Sequence, residues 1–251
     1  MTTIRPGLCS VTFRALEAEQ IVALTARAGL EVIEWGGDVH VLPGDVARAE
    51  QVATATQDAG LAVCSYGSYF RAQAGEEFTP VLDSAQALGA DRIRVWAGRV
   101  GSAVADEAEW ARTVERLQGA ASEASERGIT LALEFHSGTL ADTASSTMRL
   151  LDAVGSAALS TYWQPTVAVT DEFALGEYAA IASHVSAAHV FSWWPEKERQ
   201  TLSAREQLWR RFFADAGSRA QPPRDALLEF VPDDDPDALV VEAAALLSYL
   251  G

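Results

Sequence analysis

The chain has 251 residues, 49% of them apolar, and a formal charge of −16 from 19 Lys and Arg against 35 Asp and Glu. That is ample material for one large core, at a length α/β barrels reach as a single domain. A surface this acidic repels nucleic acid and anionic membranes, so neither is expected as a partner, and no run of about 18 apolar residues is available to span a bilayer.

The N-terminus, MTTIRPGLCS, has no charged-then-apolar leader pattern, so a cytoplasmic location is expected. Short strand-like apolar runs follow at 4–13, 30–35, 61–67, 91–98, 129–136, 159–165, 185–193 and 226–233. Between them lie segments of helical period, roughly 17–28, 44–58, 77–88, 105–127, 143–153, 171–182, 203–216 and 236–250. Gly29, Gly60, Gly89 and Gly128 each stand where a helix should stop, as residues free to take positive φ. Asp235 and Pro236 read as a cap and a first-turn proline for the last helix. The two cysteines, Cys9 and Cys64, sit in apolar stretches and are expected as buried free thiols. Eight strands alternating with eight helices predict one (β/α)8 TIM barrel over residues 1–251. A doubly wound sheet is the fallback, but CSVTFRAL after the first strand is no glycine-rich phosphate loop. The connection FSWWPEKERQTLS (191–203) is aromatic and then charged, and reads as a long loop suited to closing over a ligand.

Barrel chemistry is built at the C-terminal ends of the strands. The polar groups expected there are Glu34, Tyr66, Arg94 with Trp96, Glu134 with His136, Gln164, His189 and Glu229, with His40 close behind in the second loop. Glu134, Gln164, His189 and Glu229 come from four consecutive strands, and their oxygens and imidazole suit one divalent cation. Mn²⁺ is favoured by the imidazole, with Mg²⁺, Co²⁺ and Zn²⁺ as alternatives. A structural reading stands beside each: Glu134 or Glu229 paired with buried Arg92 or Arg94, His189 as a core histidine, Gln164 as a structural residue before Pro165. Trp35 and Trp193 divide between pocket wall and core.

At these residues the sequence resembles the sugar phosphate isomerase/epimerase family with the xylose isomerase-like barrel. The segments that carry the resemblance are IEWGGDVHV, LALEFH, AAHVFSW and LLEF. It implies one divalent metal held by Glu, Asp, His and Glu, three of these places falling on Glu134, His189 and Glu229. The fourth departs: TYWQP puts Gln164 where the family has Asp, and Val167 stands where a substrate-contacting His would follow. The activity implied is isomerisation or epimerisation of a keto sugar through an enediolate, with Glu134 and Glu229 as the acid–base pair. His40, Tyr66, Arg94, His136, Trp35 and Trp193 are the expected substrate contacts. The partner implied is a small sugar or sugar derivative, and a homodimer is compatible with such barrels. The alternatives are a lyase-type elimination on an oxidised sugar and a non-catalytic sugar-binding protein with a degenerate metal site. A DNA repair endonuclease on the same barrel is set aside, because four histidines and a charge of −16 supply neither its metal cluster nor its basic face.

Overall fold

The computed structural model describes residues 4–251. Eight parallel strands close into a barrel in the order β1-β10-β7-β6-β5-β4-β3-β2. They are β1 (Arg5–Cys9), β2 (Val32–Gly36), β3 (Ala62–Gly67), β4 (Arg92–Val95), β5 (Thr130–Leu133), β6 (Leu159–Trp163), β7 (Val185–Val190) and β10 (Asp225–Leu228). Helices return the chain between them: α1 (Ala18–Arg27), α2 (Val46–Asp58), α3 (Thr79–Leu88), α4 (Glu107–Glu126), α5 (Ala144–Val154), α6 (Asp171–Ile181), α7 (Glu206–Ser218) and α8 (Ala238–Leu250). The four expected terminator glycines have φ of 72°, 76°, 71° and 70° in chain order.

The first predicted strand is too long. Pairing stops at Cys9, opposite Glu34, and Ser10–Phe13 turn into a 3-10 segment. Val11 and Phe13 are apolar because they pack under this turn, and Ser10 Oγ accepts the Gly36 N–H at 2.8 Å. The 191–203 loop folds on itself as a short antiparallel ribbon, β8 (Ser192–Trp193) against β9 (Arg199–Gln200). Helix α8 starts two residues beyond Pro236, and Asp235 Oδ1 accepts the Asp237 N–H at 3.0 Å to brace the turn ahead of it.

Alternation along each strand sorts residues to two sides. Ile33, Trp35, Ile93, Val95, Leu131, Leu133, Ala188 and Val190 join the large core between barrel and helices. Cys9, Val32, Cys64, Ala132, Tyr162, Ala187 and Leu227 form a smaller cluster with Val11. The register between β2 and β3 slips by one residue, so that Ile33 pairs with Val63 but Glu34 pairs with Ser65. That bulge brings the Ser65 hydroxyl within 2.8 Å of Glu34 Oε2.

Charged groups run through the barrel. At the floor, Asp225 binds Arg5 on one oxygen and Arg92 on the other. Arg92 Nε donates to Tyr162 Oη at 2.9 Å, and that hydroxyl donates to Glu34 Oε2 at 2.9 Å. Glu34 Oε1 accepts from Arg94 Nε at 2.9 Å, and Arg94 Nη1 pairs with Glu134. Each charge of this chain of contacts therefore meets an opposite one, as burial without a partner would cost several kcal/mol.

Candidate active site

The strands' C-terminal ends open into a cavity of 280 Å³. Its floor and sides include Arg94, Glu134, Gln164 and Glu229, and its walls Trp96, His136, Trp193 and Phe230. Trp96 faces His136 at 4.6 Å between ring centroids and stacks on Tyr69 at 6.2 Å. Trp193 lies 5.5 Å from Phe230 on the other side. Phe230 holds a φ of 59°, its N–H donating to Thr12 Oγ1 at 3.1 Å. A positive φ on an aromatic residue costs energy, and such strain collects at working sites. The indole N–H groups of Trp96 and Trp193 are buried and have no hydrogen-bond partner among the described residues.

Of the expected site residues, Arg94, Glu134, His136, Gln164, Trp193 and Glu229 line this cavity. His189 is fully buried beside them, with Nδ1 3.0 Å from Gln164 Oε1 and 3.3 Å from Glu229 Oε2. Its Nε2 lies 3.6 Å from Glu34 Oε1. Three expected substrate contacts are elsewhere. Trp35 points out of the barrel and donates its indole N–H to Thr56 of α2 at 3.2 Å. The Tyr66 hydroxyl donates to Val41 O at 2.7 Å. His40 bridges Ser10 Oγ at 2.9 Å and Leu16 O at 3.2 Å, and burial pushes its pKa down. These are outward positions of the strand alternation, or loop braces. Glu34, collected at a strand end but given no role, proves central. Burial raises its pKa, but Arg94 and His189 outweigh this and hold it well below the usual carboxylate range.

The divalent ion expected from the sequence is tested by its donors. His189 Nδ1, Gln164 Oε1 and Glu229 Oε2 do approach one another. Glu134 does not complete the set: its carboxylate pairs with Arg94, and Glu134, His189 and Glu229 do not gather within 4.8 Å. Among the described residues the group that does is Cys9, Glu34 and His189. There, burial first and Glu34 second push the Cys9 thiol well up in the metal-free protein. Glu34 already accepts from Ser65, Tyr162 and Arg94. A dication on Glu34 would also lie close to the Arg94 guanidinium, whose Nε is 2.9 Å from Glu34 Oε1. The donor sets do not fit a divalent metal.

The family described as xylose isomerase-like TIM barrel matches residues 22–219. The chain belongs to that family. Among solved structures, this xylose isomerase-like barrel is similar to an L-ribulose 3-epimerase at 18% identity and a TM-score of 0.73, covering 98% of this chain and 95% of that one. A xylose isomerase-like protein from Mycobacterium smegmatis in complex with magnesium matches at 16% identity and 0.72, covering 100% and 97%. The probable 3-DHS dehydratase AsbF from Bacillus anthracis matches at 18% and 0.74, covering 97% and 99%. No curated protein matches the sequence. At these identities the structural likeness establishes the barrel. No helix among the described residues is long and apolar enough to cross a membrane.

Proposed function

We propose that this barrel is a keto-sugar isomerase or epimerase in which Glu134 and Glu229 move a proton at the carbon beside a bound carbonyl. The observation that carries the reading is that these two carboxylates, from the ends of β5 and β10, border one 280 Å³ cavity. That volume is at the lower end of ligand pockets, a size for a monosaccharide. The aromatic walls, Trp96 and Trp193 among them, offer apolar faces to sugar C–H groups. Sugar-modifying neighbours of the same fold, an L-ribulose 3-epimerase among them, are consistent with this class of substrate.

One glutamate removes the proton and the other returns one. Return to the opposite face of the same carbon gives an epimer, and return to the neighbouring carbon, with the hydroxyl proton passing from one oxygen to the other, gives an aldose. The expected Mn²⁺ or related ion enters as an assay variable, because its donor sets do not fit. Deuterium incorporation from solvent into a panel of ketoses, followed by NMR, tests the reading. Glu134→Gln and Glu229→Gln should each lower exchange by about 10²–10⁴, and undiminished exchange in either variant removes that residue from the chemistry. An elimination, the activity class of the dehydratase neighbour, begins with the same proton abstraction. It differs in that the product loses the mass of water.

A further inference from the structure

The site contains a cation of its own. Arg94 is 2% exposed, yet its guanidinium borders the cavity. Nε is committed to Glu34 and Nη1 to Glu134, while Nη2 has no hydrogen bond to any described residue. The space for Nη2 exists because residue 67 has no side chain: a Cβ on Gly67 would stand 2.7 Å from Nη2 and 2.9 Å from Glu34 Oε1. Glu34 itself is held by Ser65 and Tyr162, so the guanidinium is clamped from below with one edge left over. A preorganised donor at the cavity wall is what a developing oxyanion requires.

We propose that Arg94 is a catalytic residue, its Nη2 edge donating to the substrate carbonyl and holding the negative charge that forms there. This rests on reading the site as a proton-transfer centre, and it gives Arg94 the task that a divalent metal would otherwise serve. In the step, a glutamate carboxylate takes the proton from the carbon beside the carbonyl. The C–H electron pair becomes the C=C bond of an enediolate, and the C=O π pair moves to the oxygen facing Nη2. Protonation of carbon by the partner glutamic acid reverses the flow and restores the carbonyl. No electrons are gained or lost overall, and no co-reactant is needed. Glu34 balances the guanidinium from the side away from substrate and takes no proton.

The test combines exchange with binding. Wild-type exchange should survive dialysis against EDTA and change less than about twofold on adding Mn²⁺, Mg²⁺, Co²⁺ or Zn²⁺. Arg94→Met should lose it by about 10²–10³, the cost of removing one oxyanion donor. Because that variant leaves Glu34 and Glu134 without their partner, two milder ones are measured beside it. Arg94→Lys should retain part of the activity. Gly67→Ala keeps every charge while its Cβ crowds Nη2 and Glu34 Oε1, and should lower kcat about tenfold or more when measured well below its own melting temperature, with an unchanged circular dichroism spectrum. Calorimetric binding of threonohydroxamate, a planar enediolate mimic, supplies a readout apart from turnover. It should bind the EDTA-treated protein and weaken at least tenfold in Gly67→Ala.

Exchange abolished by EDTA and restored by one of the metals overturns the Arg94 assignment while the proton-transfer reading stands. So does full exchange in Gly67→Ala or Arg94→Met. Hydroxamate binding that depends on Arg94, in a protein that exchanges no ketose proton, supports the oxyanion role and removes the isomerase reading. Neither exchange nor hydroxamate binding overturns both.

Discussion

Tyr162 shows how single residues decide this interior. Its hydroxyl accepts from Arg92 and donates to Glu34, joining the charges of the floor to those of the cavity. Tyr162→Phe keeps the ring and deletes both bonds, and should cost about 1–3 kcal/mol in denaturant unfolding because two charged groups lose a partner. A neutral result would mean that water replaces the hydroxyl. The sequence signalled the residues at the mouth through acids and amides set in apolar strands, as in LEF and YWQP. It also contained the cue that Trp35 and Tyr66 point outward: in VIEWG, Glu34 and Trp35 are neighbours and must face opposite sides. It offered the pairing of Glu134 with Arg94 as one reading, but not the second half of the clamp, Glu34. That depends on a register slip at Cys64 and on empty space at Gly67, both properties of paired strands and not of any one segment.

At the level of elements, strand and helix positions were legible because each strand is a short, mostly buried run and each helix carries the longer period. The overshoot at 10–13 has a physical source: Val11 and Phe13 are buried by a turn, and burial alone does not distinguish turn from strand. Helix α8 offers a prediction. Its Glu242 is 3% exposed, and its Oε2 accepts the Leu202 N–H at 2.7 Å. Burial raises its pKa, and the Leu202 N–H offsets this only in part. A raised folded-state pKa means this group's contribution is present below the unfolded value and lost as pH rises through the folded one. Glu242→Gln keeps the acceptor without the charge. It should therefore stabilise the fold by about 1 kcal/mol, or about 2–4 °C in Tm, near neutral pH, with the gain vanishing by about pH 4. Melting curves at the two pH values check it, and an equal gain at both would show that the charge is not the cause.

For the molecule as a whole, an excess of 16 negative charges makes the folded state repel itself. Exposed ion pairs such as Arg48 with Glu19 and Arg149 with Glu107 offset little of this. Raising ionic strength from about 0.02 to about 0.3 M should therefore raise Tm near neutral pH, since the Debye length shrinks to a few ångströms. A falling Tm over that range would mean that attractive surface pairs dominate. The barrel was the most legible feature because it follows from the order of elements. The centre of charge inside it was the least, since its members come from strands far apart along the chain.

Asp225 adds one more consequence. It belongs to the last strand of the barrel, and its two oxygens answer Arg5 on the first strand and Arg92 on the fourth. Until the chain has been laid down almost to its end, both arginines lack their anion, and water must solvate the lumen in its place. A ribosome-bound or truncated chain ending before that aspartate would thus hold an open, hydrated ring rather than seven-eighths of a finished one.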